Sequence, residues 1–325
     1  MLPLHSGPPQ PGTHLSHRGS AQPARRARNV TIPSTLQTAV AVFMLFALLV
    51  ALAYRAVGSD IQVAPASSRR LLRDSSFSRA RKFPVSNLST LILVAGHSVY
   101  TGLDYHDAQG SSSWYLLDYQ KEVKGQTESF MAHIRLGVEQ AAADPKSVLL
   151  FSGGKTRASA GPRAEAEGYW LVAEANDWFG FPEVRRRAFT EEKARDSFEN
   201  LLFGLCRYYE LTGHHPTHVT VVGYEFKKAR FQDMHRAAVR YPATSFSYVG
   251  TPALTPSAVD GEAAAAAAFR TDPYGCSGAL AAKRAERDPF AEGGYGPDRC
   301  PAMAGLLNWC GPDPFPGRLP WALRR

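Results

Sequence analysis

Acidic residues are missing from the first 35 positions, where Pro, Ser, His and Arg dominate and no apolar period recurs. Such a segment cannot bury enough apolar surface to fold, so residues 1–35 are expected to form a disordered basic leader. A P-loop is missing too: Gly153-Gly154-Lys155 has adjacent glycines, and no earlier glycine stands at the required spacing. No Gly-x-Ser-x-Gly elbow accompanies a triad, which removes the main sequence signal of a serine hydrolase. His214, His215 and His218 have no cysteine or carboxylate at ligand spacing, so no metal site is expected. Cysteine is scarce, four in 325 residues: Cys206 falls within a helical pattern, and the other three lie beyond Thr251.

The net charge of +8 suggests a nucleic-acid binder only until it is divided. Residues 1–82 carry 11 Lys and Arg against Asp60 and Asp74, whereas the rest holds 26 basic and 27 acidic residues. A basic leader before a near-neutral body argues against nucleic acid as a partner. Between them, Ala39 to Tyr54 is entirely apolar or aromatic, and Leu36-Gln37-Thr38 extends the run to bilayer-crossing length before Arg55. One transmembrane helix over 36–54 is expected. A cleaved signal peptide is disfavoured by the long leader, and a core helix by the lack of a polar face. Arg25, Arg26 and Arg28 crowd its N-terminal side, while only Arg55 is close on the other, which places the body in a secretory lumen. The sequons Asn29-Val30-Thr31 and Asn87-Leu88-Ser89 flank the helix and would report topology. An acid-free leader also fits a mitochondrial address, although its prolines oppose the amphipathic helix that address needs.

After a basic, Ser-rich linker over 55–88, the pattern turns globular. Thr90–Ala95 reads as a first strand, 127–143 as a helix, Ser147–Phe151 as a buried strand, and 165–178 as a second helix. A short third strand is expected over 183–188. Ala194, Phe198, Leu201, Leu202, Leu205, Cys206 and Tyr209 mark a helix with a core face. His218–Val222 and Phe246–Val249 supply the last strands. Strands separated by helices predict an α/β fold, a Rossmann-like parallel sheet with helices on both faces, preceded by the transmembrane helix. Ligands in such sheets bind at the carboxyl ends of the strands, and four polar clusters fall there: His97, Ser152 to Arg157, Glu191 to Asn200, and Tyr224 to Arg230.

The most concentrated cluster is Ser152-Gly153-Gly154-Lys155-Thr156-Arg157. Glycine amides can approach an anion closely, while Lys155 and Arg157 supply charge and a planar fork. Ser152 and the amides of Gly153 and Gly154 would orient the anion. Glu191 or Glu199 would serve as general base, and His97 joins them as a catalytic candidate. Ser197 and Asn200 share a helix face, and Lys227 and Arg230 follow the fourth strand. Plainer readings stand beside these: carboxylates at a helix start suit its dipole, and lysines after a strand can simply be solvated.

Gly96; Ser152, Gly153 and Gly154; Glu165 and Ala166; Glu191, Ser197, Glu199 and Asn200; and Arg230 occur in the order of the YdcF-like family. That family takes in SanA and ElyC and is also called domain of unknown function 218. Over about 89–253 the chain resembles it, most of all its eukaryotic, fungal-type branch. The resemblance implies a Rossmann-like domain tethered by one N-terminal helix, with Gly96, Glu165, Ser197, Asn200 and Arg230 at the ligand site. It also implies adenosylmethionine as a cofactor, or work on envelope polysaccharides or lipid carriers. The chain departs from the family at Lys227, where many bacterial members have histidine. A small anionic or nucleotide-like ligand, with transfer or hydrolysis of a phosphorylated sugar or lipid carrier, is the enzymatic expectation; a non-catalytic membrane scaffold is the alternative.

The tail over 254–325 has six consecutive alanines, then Gly, Pro and aromatics with Cys276, Cys300 and Cys310. Its aromatics predict packing back onto the domain. Three cysteines permit one disulfide and leave one thiol, with the pair open.

Overall fold

The computed structural model describes residues 43–52 and 83–323. The chain divides into two units, residues 1–78 and 79–325. In the first, residues 43–52 are helical and expose Phe43, Met44, Leu45, Phe46, Leu48, Leu49, Val50 and Leu52. Among the described residues no helix is long and apolar enough to cross a membrane. The leader, the rest of the expected span at 36–54 and the linker through residue 82 lie outside the described residues.

The second unit is an α/β body built on a five-stranded parallel sheet. Strands β1 (Thr90–Ala95), β2 (Ser147–Ser152), β3 (Ala188–Glu191), β4 (His218–Tyr224) and β5 (Phe246–Thr251) lie in the order β3-β2-β1-β4-β5. The inner strands β1 and β2 are buried on both faces, which is why they read as continuous apolar runs rather than alternating ones. Alternate residues part cleanly. Leu91, Leu93, Val148 and Leu150 enter one core with helix α3 (Ser197–Thr212). Ile92, Val94, Leu149 and Phe151 enter the other with α1 (Gln126–Ala143) and α2 (Glu165–Ala175).

Three sequence expectations shift. The third strand is Ala188–Glu191, beginning where the expected 183–188 ends; Pro182–Arg187 forms a 3-10 turn instead. Its arginines find work off the sheet: Arg185 pairs with Glu174, and Arg187 donates to the carbonyls of Ala141 and Asp144 at the end of α1. Helix α2 stops at Ala175 rather than 178, because Asp177, Trp178 and Phe179 turn left-handed. Ala194 is buried but precedes α3, whose N-cap is Asp196 accepting from the Glu199 amide, and whose end is Gly213 at φ 79°.

The tail packs onto the body. It carries α4 (Pro256–Thr271) and α5 (Gly278–Glu286), and sends Phe269, Tyr274, Leu280, Met303, Leu306, Leu319 and Trp321 into the α3 core. The cysteine expectation is corrected: Cys206 bonds Cys300 and Cys276 bonds Cys310, so no thiol is left over among the four. Cys206 is a core residue as its helical spacing indicated, but spacing along one helix cannot show what faces it across the core.

Candidate functional site

The chain runs outward from β1 to β2 and β3, then returns to place β4 on the other side of β1. The connections therefore diverge between the carboxyl ends of β1 and β4, where open parallel sheets leave a crevice. His97 follows β1 and Lys227 follows β4, and they meet there, with Lys227 Nζ 3.4 Å from His97 Nδ1. The His97 ring stacks on Tyr224 at 4.9 Å and meets His133 edge-on at 4.9 Å. Burial, then Lys227 and His133, holds His97 well below the usual imidazole range, so it is neutral. Its buried Nε2 has no hydrogen-bond partner among the described residues.

Cations crowd this crevice. Burial and then Arg230 pull the Lys227 ammonium from 10.5 to about 7, with Arg287 and Lys283 adding to the fall and Glu262 opposing it. Lys283 is lowered as well, by lost hydration, then Arg287 and Arg230; Arg157 also reaches it. Among the described residues no carboxylate lies within ion-pair distance of Lys227, Lys283 or Arg287. At the β4 end Arg230 pairs with Glu262 at 2.9 Å and Lys228 with Glu225 at 3.2 Å.

Beneath the rim, between β2 and β3, lies a separate polar network. Ser152 Oγ is 2.6 Å from Glu191 Oε2 and 2.9 Å from Asn200 Oδ1, and all three residues are buried. One hydroxyl proton cannot serve two acceptors. Burial pushes the Glu191 carboxyl up to about 7, against the hydrogen bonds from Ser152 and the Lys193 amide; in its protonated form Glu191 donates to Ser152, which donates to Asn200, and the chain closes. Glu165 stands over the two strand ends: a Cβ on Gly96 would fall 2.8 Å from Glu165 Oε2 and 3.0 Å from the Ser152 carbonyl, and one on Gly153 2.8 Å from Glu165 Cβ. Thr156 donates to Glu165 Oε1 at 2.6 Å.

The expected anion loop has a different arrangement. The Gly153 amide donates to the Glu191 carbonyl at 3.0 Å, at the end of β3, and the Gly154 amide to the Ala194 carbonyl at 2.7 Å in the segment after it, so both tie the loop to neighbouring backbone instead of facing a ligand. Lys155 pairs with Glu292, and Arg157 lies 3.9 Å from Glu286. Both Glu199 oxygens accept from Arg195, and Arg284 adds a contact at 3.4 Å, which leaves no free lone pair aimed at the rim for a general base. Ser197 Oγ lies 2.8 Å from His235 Nε2. The structure thus brings His97, Lys227 and Arg230 together at the switch point and sets Ser152, Glu191 and Asn200 below it. Sequence reasoning missed Lys283, Arg284 and Arg287 from the tail, although Lys283 and Arg287 stand i, i+4 at the end of α5, the spacing that puts two cations on one helix face. It also missed His133, which had only a helix-core pattern around it. No group of three or more potential metal ligands occurs among the described residues.

No family profile matches the chain, and no solved structure matches it. It is similar to a Saccharomyces cerevisiae protein described as uncharacterized protein YOR238W, at 26% identity over 205 positions. That match takes in 49% of this chain and 66% of the yeast protein, so the chain covers just under two thirds of its relative's length.

Proposed function

We propose that this chain is a single-pass membrane protein whose YdcF-like α/β body binds a small anionic or nucleotide-like ligand at the switch point and acts on a phosphorylated sugar or lipid carrier. The observation that carries the reading is the surplus of cation around Lys227: after burial itself, Arg230, Arg287 and Lys283 all lower its ammonium, and among the described residues no carboxylate lies within ion-pair distance of it. Such a cluster is costly in the empty protein and is relieved by an anion. The same surplus weighs against adenosylmethionine, whose sulfonium brings a further positive charge. Calorimetry on the full-length protein in detergent, with inorganic phosphate, a nucleoside diphosphate and adenosylmethionine, tests it. Phosphate and nucleotide should bind and Lys227→Met should weaken both by about tenfold or more, whereas indifference to all three defeats the reading.

A second reading, a non-catalytic scaffold, is favoured by Glu292, Glu286 and Glu262 of the tail, which stand against Lys155, Arg157 and Arg230 where substrate groups would be needed. The two readings part on Lys227→Met: a scaffold tolerates it without change in ligand binding.

The membrane span rests on residues 36–54 and their exposed apolar helix at 43–52. Two disulfides and an exposed Asn87 ahead of β1 support a secretory lumen over a mitochondrial address. A glycosidase-sensitive mass shift on the membrane-bound protein that vanishes in Asn87→Gln is the expected result; a shift that depends on Asn29 reverses the orientation.

A further inference from the structure

The segment after β4 winds into a π-helix over Arg230–His235, whose i→i+5 hydrogen bonding sets its first and last residues one wide turn apart. His235 is fully buried, ringed by Phe198, Phe231 and Phe269 at 5.7, 5.3 and 4.6 Å between centroids. Its Nε2 meets the hydroxyl of Ser197 at 2.8 Å, and its Nδ1 has no partner among the described residues. Ser197 is the first residue of α3, and Asp196 already caps that helix, so the hydroxyl has no structural duty there. It remains half-buried rather than sealed.

Arg284 brackets this serine. Its Nε pairs with Asp196 at 2.6 Å and its guanidinium lies 5.8 Å over the Phe198 ring, while its Nη2 is buried without a partner. Arg230, also buried, keeps an unpartnered Nε. Arg230 is paired with Glu262 and Arg284 with Asp196 and Glu199, yet Arg230 Nε, Arg284 Nη2 and His235 Nδ1 stay buried without a hydrogen-bond partner among the described residues. Aromatic rings hold the imidazole in place, the task a carboxylate performs in a triad.

We propose that Ser197 and His235 are a nucleophile and its base, which take a phosphoryl group from a phosphate monoester held by Arg230 and Arg284. This rests on the anion-binding reading above. The Ser197 Oγ–P bond forms as the ester P–O bond breaks; the hydroxyl proton passes to His235 Nε2 and from there to the departing alkoxide. Water, losing a proton to the same imidazole, then attacks phosphorus as the Ser197 Oγ–P bond breaks; the imidazole returns that proton to the departing Ser197 oxygen and inorganic phosphate is released, so the sum is hydrolysis of the ester with no redox partner. Burial first, then Arg230 and Arg284, keeps His235 far below its usual range, so it is unprotonated and ready at neutral pH. A bound dianion adds negative charge beside the imidazole and so raises its basicity when substrate is present.

The test uses full-length protein in detergent with p-nitrophenyl phosphate, acid quench and peptide mass spectrometry, beside calorimetry with inorganic phosphate. The expected result is a burst of nitrophenol and one phosphoryl mass on the peptide holding Ser197. Ser197→Ala should lose both, and His235→Asn should slow adduct formation by about 10²–10⁴-fold while phosphate still binds. Phosphate binding without an adduct on wild-type Ser197, or turnover that persists in Ser197→Ala, overturns the proposal and leaves the anion site standing. Failure of phosphate to bind the wild-type protein overturns both. The wild-type adduct is read without any variant, so a folding defect in either substitution cannot mask the outcome.

Discussion

Lys227 is the residue where charge, burial and position coincide. Its ammonium titrates near 7 in the empty protein against 10.5 for a free side chain, chiefly through burial and secondarily through Arg230. An anion favours the charged form and so raises this value. Below about pH 7 the amine is already charged and binding takes up little; above it, each bound anion must draw in a proton, and affinity should fall by up to tenfold per pH unit. Calorimetry in buffers of differing ionisation enthalpy measures that uptake, which should vanish in Lys227→Met. In the absence of ligand the sign for stability is opposite. Between about pH 7 and 10.5 the unfolded chain holds a proton that the folded one lacks, so stability should rise with pH across that window and rise less steeply in the variant, where the lowered Lys283 still contributes.

At the scale of elements, the carboxyl ends of β1 and β2 are joined by close backbone approach. The Gly96 amide donates to the Ser152 carbonyl at 2.7 Å while Glu165 lies across both turns. A methyl at Gly96 would meet that carbonyl at 3.0 Å, and backbone cannot yield as a flexible side chain can. Gly96→Ala should therefore destabilise by about 1–3 kcal/mol in denaturant titration and shift the Glu165 side chain. The tail helices act on the same rim from outside. Glu262, Glu286 and Glu292 each stand against a cation that the sequence marked as a ligand group. Replacing the three with glutamine should tighten phosphate binding if they compete with it, a direction calorimetry reads directly.

For the whole molecule, the two disulfides tie the tail to the body and to itself over separations of 94 and 34 residues. Loop-closure entropy makes each worth on the order of 4 kcal/mol. Since tail residues from Tyr274 to Trp321 belong to the α3 core, loosening them also opens apolar surface. Thermal unfolding under reductant should thus show a substantially lower midpoint, and Cys276→Ala with Cys310→Ala a smaller fall than Cys206→Ala with Cys300→Ala, whose loop is longer.

The sequence by itself determined the sheet. Thr90–Ala95, Ser147–Ser152 and His218–Tyr224 are strands because runs of β-branched and aliphatic residues buried on both faces have no other stable home, while Phe246–Thr251 is the half-buried strand at the sheet edge. It determined α3 as well, through the 3.6-residue period of its core face, and the rim on which His97, Ser152, Glu191 and Lys227 end their strands. Only the tertiary structure decided which of those residues face a common space. Periodicity says which side of an element is buried, not what lies across from it. Hence the Gly153 and Gly154 amides proved to be bonded to neighbouring backbone, Cys206 found a partner 94 positions away, and Lys283, Arg284 and Arg287 came near Lys227 and Asp196 from a tail far along the chain. Even the edge strand β3 moved, because the charges of three arginines are settled by helix ends and carboxylates that come near only once the chain has folded.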